Sequence, residues 1–123
     1  MSGHVIQFFF MMRSQLKLYH WQTSMFARHK ASDEILDTLD GLIDEYVEVY
    51  MGKYGRPKLS KKNSVITIEN MNDKSITKYI HLCILYLQKS LAVDLKPTDT
   101  DLLNIRDEML GNLNKFLYLT TLK

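Results

Sequence analysis

Between Ala31 and Gly52 the chain carries seven acids (Asp33, Glu34, Asp37, Asp40, Asp44, Glu45 and Glu48) and no lysine or arginine. These are half of its 14 acidic residues. Hydrophobic residues run through the same stretch at Leu36, Leu39, Ile43, Tyr46, Val47 and Tyr50, close to the period of one helical face. At about 100° per residue, Asp33, Asp37, Asp40, Asp44 and Glu48 form a second stripe, rotated by roughly a third of a turn from the middle of the first. The pattern predicts a long helix from about Met25 to Met51, with its apolar side in a core and its acids flanking that core. Such a row repels itself unless it is solvated, paired or metallated.

The rest of the chain supplies partners for that helix. Val5, Phe9, Met12, Leu16 and Tyr19 predict a first helix from about His4 to Gln22, followed by a turn whose Thr23 and Ser24 hydroxyls can cap the next one. Gly52 and Gly55 can end the second helix, and Pro57 resists continuation. Residues 53–72 form one long connection. Lys53, Arg56, Lys58, Lys61 and Lys62 make its first half basic, and Val65, Ile66 and Ile68 predict a short extended piece resting on the bundle. A helix of about 25 residues is about 38 Å long, and roughly 18 to 20 extended residues reach roughly 60 Å, so this connection can cross a bundle lengthwise. Ile76, Tyr79, Ile80, Cys83, Leu87 and Leu91 predict a third helix from Asn72 or Asp73 to about Val93. Pro97 and Thr98 punctuate the chain, with Asp101 completing a capping-box variant on Thr98. Leu102, Ile105, Met109, Leu113, Phe116, Leu117 and Thr120 mark a fourth helix, and Gly111 in its middle predicts close approach of another helix. The expected fold is all-α, an antiparallel four-helix bundle forming one domain over residues 1–123.

Charge and motif content narrow the function. A net charge of +2 does not by itself call for nucleic acid, so any binding through the basic loop should be weak and steeply salt-dependent. The single Cys83 allows neither an intrachain disulfide nor a thiolate zinc site, and within an apolar stripe it reads as a small buried hydrophobe. The Val5–Met12 run lacks a preceding basic region and a following cleavage site, and it is shorter than the roughly 20 residues of a membrane span. A soluble cytoplasmic protein with no membrane partner is expected. Phosphate loops, dinucleotide turns, nucleophile elbows and the HExxH zinc helix are missing from the sequence. What remains is imidazole with carboxylate, a donor set suited to iron, manganese or zinc. His20 and His29 lie on either side of the predicted turn, whereas His4 and His81 lack acidic neighbours and read as structural. Di-iron bundles carry Glu-x-x-His on each of two helices. No glutamate here has a histidine three residues on, so a ferritin site inside one bundle is not expected.

His20-Trp21, Ala27-Arg28-His29-Lys30-Ala31-Ser32-Asp33-Glu34 and Asp44-Glu45-Tyr46-Val47-Glu48 resemble the Dps-like mini-ferritins. In that family a His-Trp pair closes the first helix. A second histidine opens the next in Ala-x-His-x-x-x-Asp-Glu, and Asp-Glu-x-x-Glu follows. Gly55-Arg56-Pro57 is similar to the family's segment after the second helix, while the spacing from His20 to His29 is shorter than usual. The resemblance implies a ferritin-like bundle with a long crossover between helices 2 and 3, assembled as a homo-oligomer of at least a two-fold dimer. It implies a ferroxidase centre shared by two subunits, with His20 and His29 from one chain and Asp44 and Glu48 from its mate. Trp21, Asp33 and Asp40 would lie behind those ligands, and iron(II) would be oxidised there by oxygen or peroxide. The short chain also resembles ferritin-like proteins of large DNA viruses, which would place it in a virion. The competing expectation is a structural or adaptor bundle that keeps the fold without metal chemistry, built into a heteromeric assembly.

Overall fold

The computed structural model describes residues 3–123. The described residues are all-helical, with four α-helices: α1 (Gly3–Gln22), α2 (Phe26–Tyr54), α3 (Ser75–Leu85) and α4 (Thr100–Leu119). The rod begun by α3 continues through a π turn, Tyr86–Ser90, and a 3-10 turn, Leu91–Asp94. Among the described residues no helix is long and apolar enough to cross a membrane.

Side-chain pairs fix the directions. Phe9 meets Tyr46 edge-on at 5.6 Å, Arg13 pairs with Asp40, and His20 stacks on His29, so α1 and α2 run antiparallel. Lys53 pairs with Asp101 at one end of α4 while Arg28 donates to the Thr120 carbonyl just beyond the other, so α2 and α4 also run antiparallel. Phe8 stacks on Tyr86 and Tyr19 donates to Asp73, which sets α3 antiparallel to α1. The predicted stripes meet in one core, where Met12, Leu16, Leu39, Ile80, Leu87, Leu102, Met109 and Leu113 are fully enclosed. Cys83 is buried among them, and desolvation pushes its thiol up to about 12, far from a reactive thiolate.

The connection between α2 and α3 runs back along α1, and three glutamines hold it. Gln7 donates to the Val65 carbonyl at 2.7 Å. Gln15, itself buried, exchanges two bonds with the Glu69 backbone at 2.6 and 3.0 Å. Gln22 accepts from the Met71 amide at 2.8 Å. These bonds satisfy backbone groups that a strand partner would otherwise supply. The expected extended piece therefore forms no strand and is anchored by its main chain. Val65 and Ile68 point outward, and only Ile66 is half-buried.

Four further local expectations are corrected. No side chain caps α2: the Thr23 hydroxyl accepts from the Met25 amide and donates to Asp73, which stabilises the turn instead. Gly111 faces open space, since a Cβ there would meet nothing within 4 Å. Asp99, not Thr98, flanks the start of α4. The Asp99 carboxylate is almost completely buried and accepts from the Lys53 ammonium at 2.7 Å, the Tyr54 hydroxyl at 2.7 Å and the Lys96 amide at 2.8 Å. α3 starts at Ser75, later than expected and with Lys74 flanking it, while the Asn72 side chain accepts from the amides of Lys74 and Ser75 in the turn ahead of it.

The Asp99 cluster makes stability sensitive to acid. Lys53, the Lys96 amide and Tyr54 draw its carboxyl down to about 2, against about 3.9 for an unfolded aspartate. A depressed carboxyl stabilises the fold above its unfolded value, and that contribution is lost as pH falls from about 4 through about 2. Asp73 and Asp101 are also held low, by Tyr19 and Lys53 respectively. Thermal melts from pH 5 to pH 2 should therefore show a shallower acid decline for Asp99→Asn than for the wild type, with part of the slope retained. Identical slopes would mean that the cluster does not favour the ionised form.

Candidate metal centre

The C-terminal end of a helix leaves backbone carbonyls without intrahelical partners, and the short turn from Thr23 to Met25 brings that end of α1 against the start of α2. His20 lies in the last turn of α1 and His29 in the first turn of α2. Their rings stack at 3.9 Å between centroids and 17° between planes. The bonding is reciprocal: His29 Nδ1 donates to the His20 carbonyl at 2.9 Å, and His20 Nδ1 donates to the His29 carbonyl at 2.7 Å. A carbonyl only accepts, so both Nδ1 atoms carry a proton, and a ring in its neutral form then has its lone pair on Nε2. A backbone acceptor on the far nitrogen is the usual device that orients a metal-binding histidine. Ser32 completes it, accepting from His20 Nδ1 and donating to the His29 carbonyl, both at 3.0 Å. Asp33 lies 4.0 Å from His20 Nε2. The pair therefore has the tautomers, and one nearby carboxylate, that suit a divalent cation.

The acidic half is built differently. Asp44 and Glu48 are one helical turn apart on the exposed side of α2. Their carboxyls interact, and the hydrogen bond with Asp44, reinforced by its charge, holds Glu48 above the ordinary glutamate range.

One chain does not unite the halves. Fifteen residues separate His29 from Asp44 and nineteen separate it from Glu48, a helical rise of about 22 and about 28 Å. Among the described residues no three His, Cys, Asp or Glu side chains gather closely enough to hold a metal ion. Of the residues expected behind the ligands, Asp33 stands beside His20, whereas Asp40 pairs with Arg13 of the same chain. Trp21 is not in the core: it is 68% exposed, with the Lys17 ammonium 5.5 Å above its ring.

Sequence reasoning missed Ser32, which is completely buried under the histidines. Its only sequence signal is its position three residues after His29, too common a spacing to single it out. A second missed element is the Arg28 node behind the turn. The guanidinium donates to the Tyr19 hydroxyl, the Asp73 carbonyl and the Thr120 carbonyl, at 3.2, 2.8 and 2.9 Å.

In comparison with known sequences, a family of unknown function, DUF5856, matches residues 20–120. No curated protein and no solved structure matches the chain.

Proposed function

We propose that this chain, which belongs to the DUF5856 family of unknown function, is a Dps-like, ferritin-like metal-binding protein whose pocket forms where two copies meet on a two-fold axis. His20 and His29 of one copy would hold the cation together with Asp44 and Glu48 of the other, with Asp33 close by. Iron(II) is the favoured substrate, with manganese or zinc as alternatives, and bound iron(II) would be oxidised by oxygen or peroxide. The observation that carries this reading is the reciprocal Nδ1 bonding of the stacked imidazoles, which leaves both Nε2 lone pairs for a ligand role. The exposed Asp44–Glu48 pair supplies the complementary charge. The helix directions and the connection lying along α1 support a ferritin-like bundle with a long crossover between α2 and α3.

Two residues have distinct parts. Ser32 orients His20, and Asp33 adds negative charge near Nε2. Iron(II) titration under air should give an iron-dependent absorbance change in the wild type that disappears in His29→Ala and in Asp44→Ala. Undiminished oxidation in both variants would remove the centre.

A structural or adaptor role, as in a virion, is the second reading. It is favoured by the exposed apolar side chains Leu82 and Val93, which belong to α3 and its continuation and not to the turn that carries His20 and His29. It requires that purified protein ignore iron and enter a heteromeric assembly.

A further inference from the structure

From Lys53 to Val93 the chain holds eight of its 16 lysines and arginines but only two of its 14 acids. One of the two, Asp73, is engaged by Tyr19, Thr23 and Arg28 at the turn. The other, Glu69, lies in the connection. α3 packs on α1 through the Phe8–Tyr86 stack, and its continuation meets α4 where Arg106 donates to the Leu87 carbonyl. That rod therefore lies diagonally across the bundle from α2 and its seven acids. Charge is segregated to opposite sides of the molecule.

Along the rod Lys74, Lys78, Leu82, Leu85, Lys89 and Val93 follow one another at steps of three and four, which keeps them on one side. All six are exposed. Leu82, Leu85 and Val93 are open to solvent by 63%, 47% and 77%. Among the described residues none of these three lysines joins an ion pair, whereas Arg13, Arg28, Lys53 and Arg106 all do. No acid falls between Lys74 and Val93, and Lys74 and Lys78 repel each other across one helical turn. The connection reaches the flank of the rod at Tyr79 and adds two more outward aliphatic side chains, Val65 and Ile68. Uncompensated positive charge and bare aliphatic surface thus share one ridge, and the isolated chain satisfies neither.

We infer that this ridge is a docking surface for an anionic lipid bilayer. Phospholipid headgroups supply the missing negative charge, and Leu82, Leu85 and Val93 enter the boundary between headgroups and acyl chains. Lysine suits this place, because its apolar stem lies along the boundary while the ammonium stays among the headgroups. The alternatives use less of the ridge. Nucleic-acid phosphates offer nothing to the aliphatic side chains, and carboxylates of an acidic protein are best met by arginine, which the ridge lacks. The acids of α2 face away from the bilayer, which fixes the orientation of the docked molecule. A surface contact needs no spanning run, so it departs from the expectation of no membrane partner without requiring a transmembrane helix. It is independent of the proposed metal pocket, which uses α1 and α2.

The test is co-sedimentation of the full chain with vesicles made of equal parts phosphatidylserine and phosphatidylcholine, with phosphatidylcholine vesicles, polyaspartate and duplex DNA as comparisons. Wild type should bind the mixed vesicles, ignore phosphatidylcholine alone, and release as salt is raised. Lys78→Gln and Lys89→Gln should each weaken vesicle binding about fivefold. Lys115→Gln, on α4 and also exposed, should leave it unchanged. The paired change Leu82→Gln with Val93→Gln should weaken vesicle binding without altering any retention on polyaspartate or DNA. All these positions are exposed, so helical circular dichroism should not change. Absence of binding to the mixed vesicles would overturn the proposal. So would equal weakening by Lys115→Gln, which would make net charge the cause, or vesicle binding indifferent to Leu82→Gln with Val93→Gln. Tighter binding to DNA or polyaspartate than to the vesicles would give the ridge to a nucleic acid or an acidic protein instead.

Discussion

An equal mixture of His29→Ala and Asp44→Ala chains, each inert alone, is expected to recover about a quarter of the wild-type iron oxidation once the subunits have exchanged. Random pairing makes about half of the dimers mixed, and a two-fold gives each dimer two pockets. In a mixed dimer one pocket carries both substitutions and the other carries neither. The expectation follows from the distance along α2, because about 22 Å of helix prevents His29 from reaching Asp44 of its own chain. The recovered activity should vary with mixing ratio and peak at equal amounts. No recovery after proven exchange would exclude a pocket shared in this way.

Arg28→Met is expected to cost about 3 to 5 kcal/mol, enough to leave a domain of ordinary stability marginal. Methionine keeps much of the apolar stem but removes every donor. The Asp73 and Thr120 carbonyls would then lose their charged partner, at about 1 to 3 kcal/mol for each acceptor left unsatisfied. Asp73 would also lose the cation 3.9 Å away. The damage should spread, since this one side chain ties the turn between α1 and α2 to the start of α3 and the end of α4. Urea unfolding followed by circular dichroism gives the measurement, with Arg106→Met as the comparison. Arg106 bonds only its neighbour Asp107 and, at 3.3 Å, the Leu87 carbonyl, so its loss should cost about 1 kcal/mol. Equal midpoints for the two variants would show that the Arg28 node does not hold the helix ends together.

The helices were legible because burial imposes a three- and four-residue rhythm. Stripes such as Val5–Phe9–Met12–Leu16–Tyr19 are buried as expected, and α1 begins and ends within a residue of its predicted bounds. Irregularities that depend on backbone partners were not legible. The π turn at Tyr86 keeps the four-residue step from Leu87 to Leu91, so neither glycine nor proline marks its wider bonding. Gly111 gave a false signal because a mid-helix glycine is also compatible with empty space beside it. The Asp99 cluster joins residues more than forty positions apart, and Pro97 and Thr98 looked sufficient to end one helix and start another.

The candidate site was half legible. A turn of three residues makes the meeting of His20 with His29 almost unavoidable, whereas the carbonyl bonds and Ser32 beneath them emerge only when both helix ends are set in space. In the proposed pocket the relation of the imidazoles to Asp44 and Glu48 would belong to a pair of chains, which no single helix encodes.

The three glutamines along α1 divide the long connection into two stretches with different tolerance to change in length. From Val65 to Met71 each anchored residue has its own partner, so a single inserted residue there would shift the remaining anchors out of step. From Arg56 to Ser60 no such fastening exists among the described contacts, and extra residues cost only the slow logarithm of a longer loop. Reporter tags and evolutionary insertions alike should be accepted between Arg56 and Ser60 and rejected between Val65 and Met71.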